Sequence, residues 1–203
     1  VGRLADPADI VAVCDRVLGG AGDLAGLDVL VTAGGTREPI DPVRFIGNRS
    51  SGKQGHAVAD EAAARGARVT LVTTAGRPCA PGVDVIAVET AAEMEAVVLE
   101  RAAVADVVVM AAAVADFRPK VVADDKLKKG DGVPEVVLEP TTDILAALGA
   151  AKRPGQTLVG FAAETSDLVA NAIDKVRRKN LDLVVANDVS APGVGFEHDT
   201  NAV

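Results

Sequence analysis

The chain has no tryptophan and no tyrosine, and four phenylalanines supply the whole of a 2% aromatic content. The stacking platforms that hold single-stranded nucleic acid are therefore excluded. Cysteine is scarce too: Cys14 and Cys79 lack metal-ligand spacing and cannot staple a secreted scaffold, so a reducing cytoplasm is expected. Cations are outnumbered, 21 Lys and Arg against 29 Asp and Glu. The resulting net charge of −8 argues against nonspecific binding to nucleic acid or to an anionic membrane face, and any anionic ligand must be held by a local cluster of cations. There is no signal peptide and no run of about 18 apolar residues, so no membrane span is expected. His56 and His198 are far apart with no ligand pattern, and no carboxylate pair has a telling spacing. The chain starts at Val1 without methionine, as an excised part of a longer protein would.

What is present is a core-forming composition, 49% apolar in 203 residues with no long linker, which predicts one α/β domain over residues 1–203. Ile10, Val13, Cys14, Val17 and Leu18 fall at helical spacing before Gly19-Gly20. An apolar, β-branched run over 27–33 predicts a strand covered on both faces. A long loop follows over 34–50, then an alanine-rich helix from Ser51 to about Arg65, ended by Gly66. Further strands are predicted over 68–74, 83–88, 106–113, 157–162 and 181–186. Helices are predicted after Thr90 (with Met94, Val97, Val98 and Arg101), from Thr141-Thr142-Asp143 through about Gly149, and over 166–179. A polar loop spans 114–130, a short extended piece covers 135–138, and the tail 187–203 reads as loop.

Strands and helices that alternate in this way imply a Rossmann-like, doubly wound and mostly parallel sheet, with the six strands in the order 3-2-1-4-5-6 counted along the chain. The first and fourth strands then lie side by side at the switch point, where ligands bind beyond the carboxyl ends. The loops 34–50 and 114–130 should meet there.

Both loops carry polar chemistry. Gly47-Asn-Arg-Ser-Ser-Gly-Lys-Gln54 matches a P-loop until Gln54, which stands where a hydroxyl would bind magnesium. A Gly-x-Gly-x-x-Gly fingerprint is absent. Ser50 and Ser51 are placed to cap a helix whose free amides suit a phosphate or carboxylate. Lys126, Lys128 and Lys129 form a cationic cluster on the second loop, readable as a lid over a polyanion or as a solvated surface. Lys175 and Lys179 are a like-charge i, i+4 pair, unfavourable unless an anion or acceptor lies beside it, and readable equally as a solvated helix face. Asp116, just past a buried strand end, could hold a phosphate-bound cation or cap the loop, and Asn48 could donate to an oxyanion or serve as a turn residue.

Six segments in order carry a family likeness: Thr32-Ala-Gly-Gly-Thr-Arg-Glu-Pro-Ile-Asp-Pro-Val-Arg44, Asn48-Arg-Ser-Ser-Gly-Lys53, Ala111-Ala-Ala-Val-Ala-Asp-Phe-Arg-Pro119, Lys126-Leu-Lys-Lys129, Gly160-Phe-Ala-Ala-Glu-Thr165 and Lys179-Asn-Leu-Asp-Leu-Val-Val-Ala-Asn-Asp188. From about Leu24 to Val203 the chain resembles bacterial phosphopantothenoylcysteine synthetase, the ligase half of the bifunctional coenzyme A biosynthesis protein. The resemblance implies joining of 4′-phosphopantothenate to L-cysteine with CTP and Mg²⁺ through an acyl-cytidylate. Met110, Ala111, Ala112, Asp116, Thr142, Asp143, Ile144, Leu145, Phe161, Lys175 and Lys179 would contact the nucleotide, with Asp116 nearest any metal. Lys126 would be the lid residue on the phosphates, Asn48 would hold the acyl-cytidylate, and Arg44 would support the substrate side. A homodimer is implied, with a flavin-dependent phosphopantothenoylcysteine decarboxylase domain elsewhere in the parent chain and further residues past Val203. CTP rather than ATP rests on the resemblance alone. An NAD(P)-dependent oxidoreductase of the same architecture and a noncatalytic nucleotide-sensing module are the alternatives.

Overall fold

The structure is a computed structural model that describes residues 22–129, 132–164 and 168–188. The expected helix around Cys14, and His198 in the tail, lie outside the described residues. In chain order the elements are β1 (Asp28–Ala33), β2 (Arg37–Pro39), β3 (Phe45–Gly47), α1 (Lys53–Ala64), β4 (Arg68–Thr73), β5 (Asp84–Ala87), α2 (Ala91–Ala102), β6 (Val107–Met110), β7 (Phe117–Pro119), β8 (Leu138–Pro140), α3 (Ile144–Ala151), β9 (Thr157–Glu164), α4 (Leu168–Arg178) and β10 (Leu183–Asp188).

Six of the strands form one parallel sheet in the order β10-β9-β6-β1-β4-β5, which is the expected doubly wound order read from its other edge. Successive side chains of a strand point to opposite faces, and β1 divides the core accordingly. Val29, Val31 and Ala33 pack with Ala59 and Ala62 of α1, with Val69 and Leu71 of β4, and with Val109. Leu30 turns to the other face and joins Met94 and Val98 of α2, Leu145 and Leu148 of α3, Val108 and Leu158. The apolar runs needed no alternation because both faces are covered. Met94 is fully buried, as its helical spacing predicts.

The helix starts differ in chemistry. Thr90 caps α2 with a complete capping box, accepting from the Glu93 amide while Glu93 reaches back to the Thr90 amide. Glu38, 2% exposed on β2, accepts from the Ala91 amide at 2.8 Å and so draws the short β2–β3 ladder onto the same helix end. Asp143 caps α3 by accepting from the Ala146 amide at 3.0 Å. The serine cap expected for α1 is replaced by Gly52, which adopts the left-handed conformation (φ 72°) that glycine enters at no steric cost. Ser51 Oγ accepts a long 3.4 Å bond from the Lys53 amide.

Two three-residue ladders, β2 with β3 and β7 with β8, occupy segments expected to be loop, because strands this short show no periodicity. The extended piece expected over 135–138 is displaced to Leu138–Pro140, where β8 pairs antiparallel with β7. Among the described residues no helix is long and apolar enough to cross a membrane.

Candidate functional site

The exits of β1 and β6 are stitched together by backbone bonds and by threonine hydroxyls. Gly35 bridges Ala113 in parallel, with Ala113 N donating to Gly34 O and Thr36 N to Ala113 O. The buried Thr32 hydroxyl accepts from the Ala112 amide at 3.1 Å, and the equally buried Thr36 hydroxyl accepts from the Ala115 amide at 2.9 Å. Thr141 Oγ1 donates to Ala115 O at 2.5 Å, and its amide donates to Asp116 O. Asn48 Nδ2 donates to Val114 O at 3.0 Å. The segment Ala112–Asp116 is thus held from three sides, and the loops 34–50 and 114–130 do meet at the switch point. Thr36→Val keeps the shape but strands the Ala115 amide; a loss of about 1–3 kcal/mol in urea unfolding is expected, and an unchanged midpoint would remove the hydroxyl from this account.

Beyond this floor lies a crevice of about 1040 Å³. Arg49, Lys53 and Arg77 line one flank, beside the start of α1, where the helix dipole favours an anion. Lys175 and Lys179 of the α4 segment line the other, above the Asp143 cap of α3. Among the described residues, Asp116 and Asp143 are the only carboxylates that line it.

Each lysine of the pair has an acceptor beside it within the fold, so their proximity requires no external ligand. Lys175 Nζ donates to Phe161 O at 2.6 Å, and Lys179 Nζ pairs with Asp143 at 2.8 Å. Burial raises the Asp143 carboxyl, but the Lys179 bond and the Ala146 amide outweigh it and leave it below the usual carboxylate range. The ion pair is therefore intact at neutral pH, and its stabilisation is lost as the medium is acidified through the depressed range.

Twelve of the expected site residues line this crevice: Asn48 on the first loop, Met110, Ala111, Ala112 and Asp116 at the β6 exit, Thr142 to Leu145 at the start of α3, Phe161 on β9, and Lys175 and Lys179. Arg44 and Lys126 do not. Arg44 is bound to the buried Asp41, and Lys126 is exposed next to Leu127, which is bonded to the same pair. Asp116 is exposed at the mouth, and no group of three or more His, Cys, Asp or Glu gathers among the described residues. His56 is 3% exposed, with Nε2 on the Thr73 hydroxyl and Nδ1 on Cys79 Sγ; desolvation lowers its pKa and keeps the imidazole neutral inside the fold. The sequence reading missed Arg77, contributed by the loop after β4, and the three threonines. A hydroxyl at the end of an apolar strand was the signal for Thr32.

Comparison with known proteins places the chain in a family. A family model described as the DNA/pantothenate metabolism flavoprotein C-terminal domain matches residues 24–203. A protein of an unknown prokaryotic organism named cysteine/cysteine sulfinic acid decarboxylase is 47% identical over 100% of this chain and 58% of its own length. The coenzyme A biosynthesis bifunctional protein CoaBC of Mycobacterium tuberculosis H37Rv is 54% identical over 88% of this chain and 46% of its own. The chain spans about half the length of these relatives. A crystal structure of the C-terminal domain of a CoaBC protein superposes with a TM-score of 0.73 at 44% identity, over 81% of this chain and 79% of that one.

These names correct the expected chemistry. They describe a flavoprotein and a decarboxylase, and none of them carries a ligase or CTP. The expectations of acid–amino-acid ligation, of CTP with Mg²⁺, and of phosphopantothenate and L-cysteine as substrates give way to the flavoprotein description. So does the expected assignment of flavin chemistry to a separate decarboxylase domain. The link to coenzyme A biosynthesis is retained by the CoaBC relatives. The chain belongs to the family of the DNA/pantothenate metabolism flavoprotein C-terminal domain.

Proposed function

We propose that this chain acts as a single cytoplasmic domain of coenzyme A biosynthesis whose crevice binds a phosphorylated small molecule bearing a flat heterocycle. One observation carries the reading: in a chain of net charge −8, the crevice gathers Arg49, Lys53, Arg77, Lys175 and Lys179 against only Asp116 and Asp143. Such a cluster favours an anion there in spite of the repulsive whole.

The roles follow from position. Lys175, Lys179 and the opening amides of α1 would take the phosphate oxygens. The alanines at the β6 exit leave room for a ring against the backbone, and Phe161 gives it an apolar wall. Asn48, bonded by its amide nitrogen to Val114 O, would have its carbonyl oxygen left to accept from the ligand, and Asp116, exposed on the same lining, would accept from a sugar or chain hydroxyl. Flavin mononucleotide belongs to this ligand class and is the member that the family description makes first to test. The residues present fit its phosphate end through the same cations and amides. When bound, a flavin supplies redox chemistry; the chain supplies the cradle.

The test is titration of the purified chain with flavin mononucleotide, followed by its absorbance and fluorescence, beside a panel of pyrimidine and purine mononucleotides at low and high salt. Saturable binding of at least one member, weakened by salt, is expected. Absence of saturable binding across the panel would overturn the proposal.

A further inference from the structure

Asp41 lies outside the crevice, and its carboxylate is bonded beyond the needs of its own turn. Its side chain is wholly buried. Oδ1 accepts from the amides of Val43 at 2.9 Å and Arg44 at 2.8 Å, which closes the turn between β2 and β3. Oδ2 accepts from Arg44 Nε and Nη2, at 3.0 and 2.5 Å, and also from the amide of Leu127 at 3.1 Å, 86 residues away. The same guanidinium donates from Nη2 to Leu127 O at 2.8 Å, so both backbone groups of Leu127 end on one ion pair. A further bond, from the Ala123 amide to Ile40 O at 3.0 Å, closes the other side.

This arrangement explains how a lysine-rich segment keeps a set course. Leu127 stands between Lys126 and Lys128, both exposed, and their mutual repulsion offers nothing to hold the backbone down. A buried ionised carboxylate is costly unless its lone pairs are filled, and here the Leu127 amide and Arg44 fill those of Oδ2. The turn that Asp41 closes leads through β3 straight to Asn48, whose bond to Val114 O is the next fastening along the same loop.

We propose that Asp41 is a positioning residue: its carboxylate, acting with Arg44, fastens the lysine-bearing segment 123–129 to the loop that carries Asn48 and so presents both to a ligand in the crevice. The role assigned to the segment rests on the phosphorylated-ligand reading above; the fastening itself does not.

Hydrogen exchange on the whole chain separates the two. In Asp41→Asn, exchange of the peptide containing Ala123 and Leu127 should accelerate by about tenfold or more while the peptides of β1, β4 and β6 keep their rates. Arg44→Lys, which retains the charge and loses the two-pronged contact, should give a smaller acceleration in the same peptide and guards against an Asp41 variant that does not fold. Trypsin cleavage after Lys126 and Lys128 should quicken in parallel. Unchanged exchange at 123–127 in both variants, or an equal rise across the sheet, would overturn the fastening. If the exchange result holds and the affinity for a mononucleotide bound by the native chain is the same in Asp41→Asn, the fastening stands and its service to the crevice is refuted.

Discussion

The double variant Lys175→Ala, Lys179→Ala should bind phosphorylated ligands about 10- to 100-fold more weakly than the native chain, with a shallower dependence on salt. A hydrogen bond to a charged group contributes about 1.5–3 kcal/mol, and two are removed. The expected loss is smaller than their sum because neither ammonium is idle before the ligand arrives: one is on Phe161 O and the other on Asp143. Each ammonium has three donors, so both contacts can persist while a phosphate oxygen is added. Lys179→Ala alone carries a second signature. Without its partner the Asp143 carboxyl rises toward the ordinary range, so the acid limb of the stability profile should begin at higher pH than in the native chain. Calorimetric titration at two salt concentrations reads the first effect and pH-dependent melting the second. Native-like affinity in the double variant would leave the cation cluster without a function.

Gly149→Ala should destabilise the fold by about 1–3 kcal/mol, although the same change in an exposed helix usually stabilises by about 1 kcal/mol. Gly149 lies within α3 at a point where a β-carbon would stand 1.9 Å from Lys179 O and 2.8 Å from Lys179 C. Backbone cannot yield as a flexible side chain can, so the end of α4 must move away. Asn180, held at φ 50°, donates from Nδ2 to Gly149 O at 3.0 Å and would lose that bond as the helices part. Because Lys179 begins at the displaced carbonyl, ligand affinity should fall with stability. Urea unfolding decides the sign, and a midpoint at or above the native value would show that α3 and α4 are not in the contact described.

The sheet was readable because burial on both faces demands continuous apolar strands, and Val29 to Ala33 and Val107 to Met110 have no other use for such runs. Thr90 and Asp143 were readable as caps because a short polar side chain before an apolar stripe has a local task. The partners of the lysine pair were unreadable for the opposite reason. Spacing shows which residues share a helix face, and Lys179 lies opposite an Asp143 that is 36 residues away. Arg44, placed on the substrate side by the family likeness, is held by Asp41, three residues before it. Lys126 was named as a lid residue by the family likeness; it is not among the residues that line the crevice, and its neighbour Leu127 is anchored on Asp41.

By itself the sequence determined the parallel doubly wound sheet and the meeting of two distant loops at its switch point, since periodicity and right-handed crossovers are properties of the chain's local chemistry, while the twelve named residues that line the crevice came from the family likeness of its motifs. Only the tertiary structure decided which polar groups hold one another. Asp41 to Leu127, Thr36 to Ala115 and Lys179 to Asp143 are bonds between segments brought together by packing, and a hydrogen bond requires a distance that no spacing along the chain specifies.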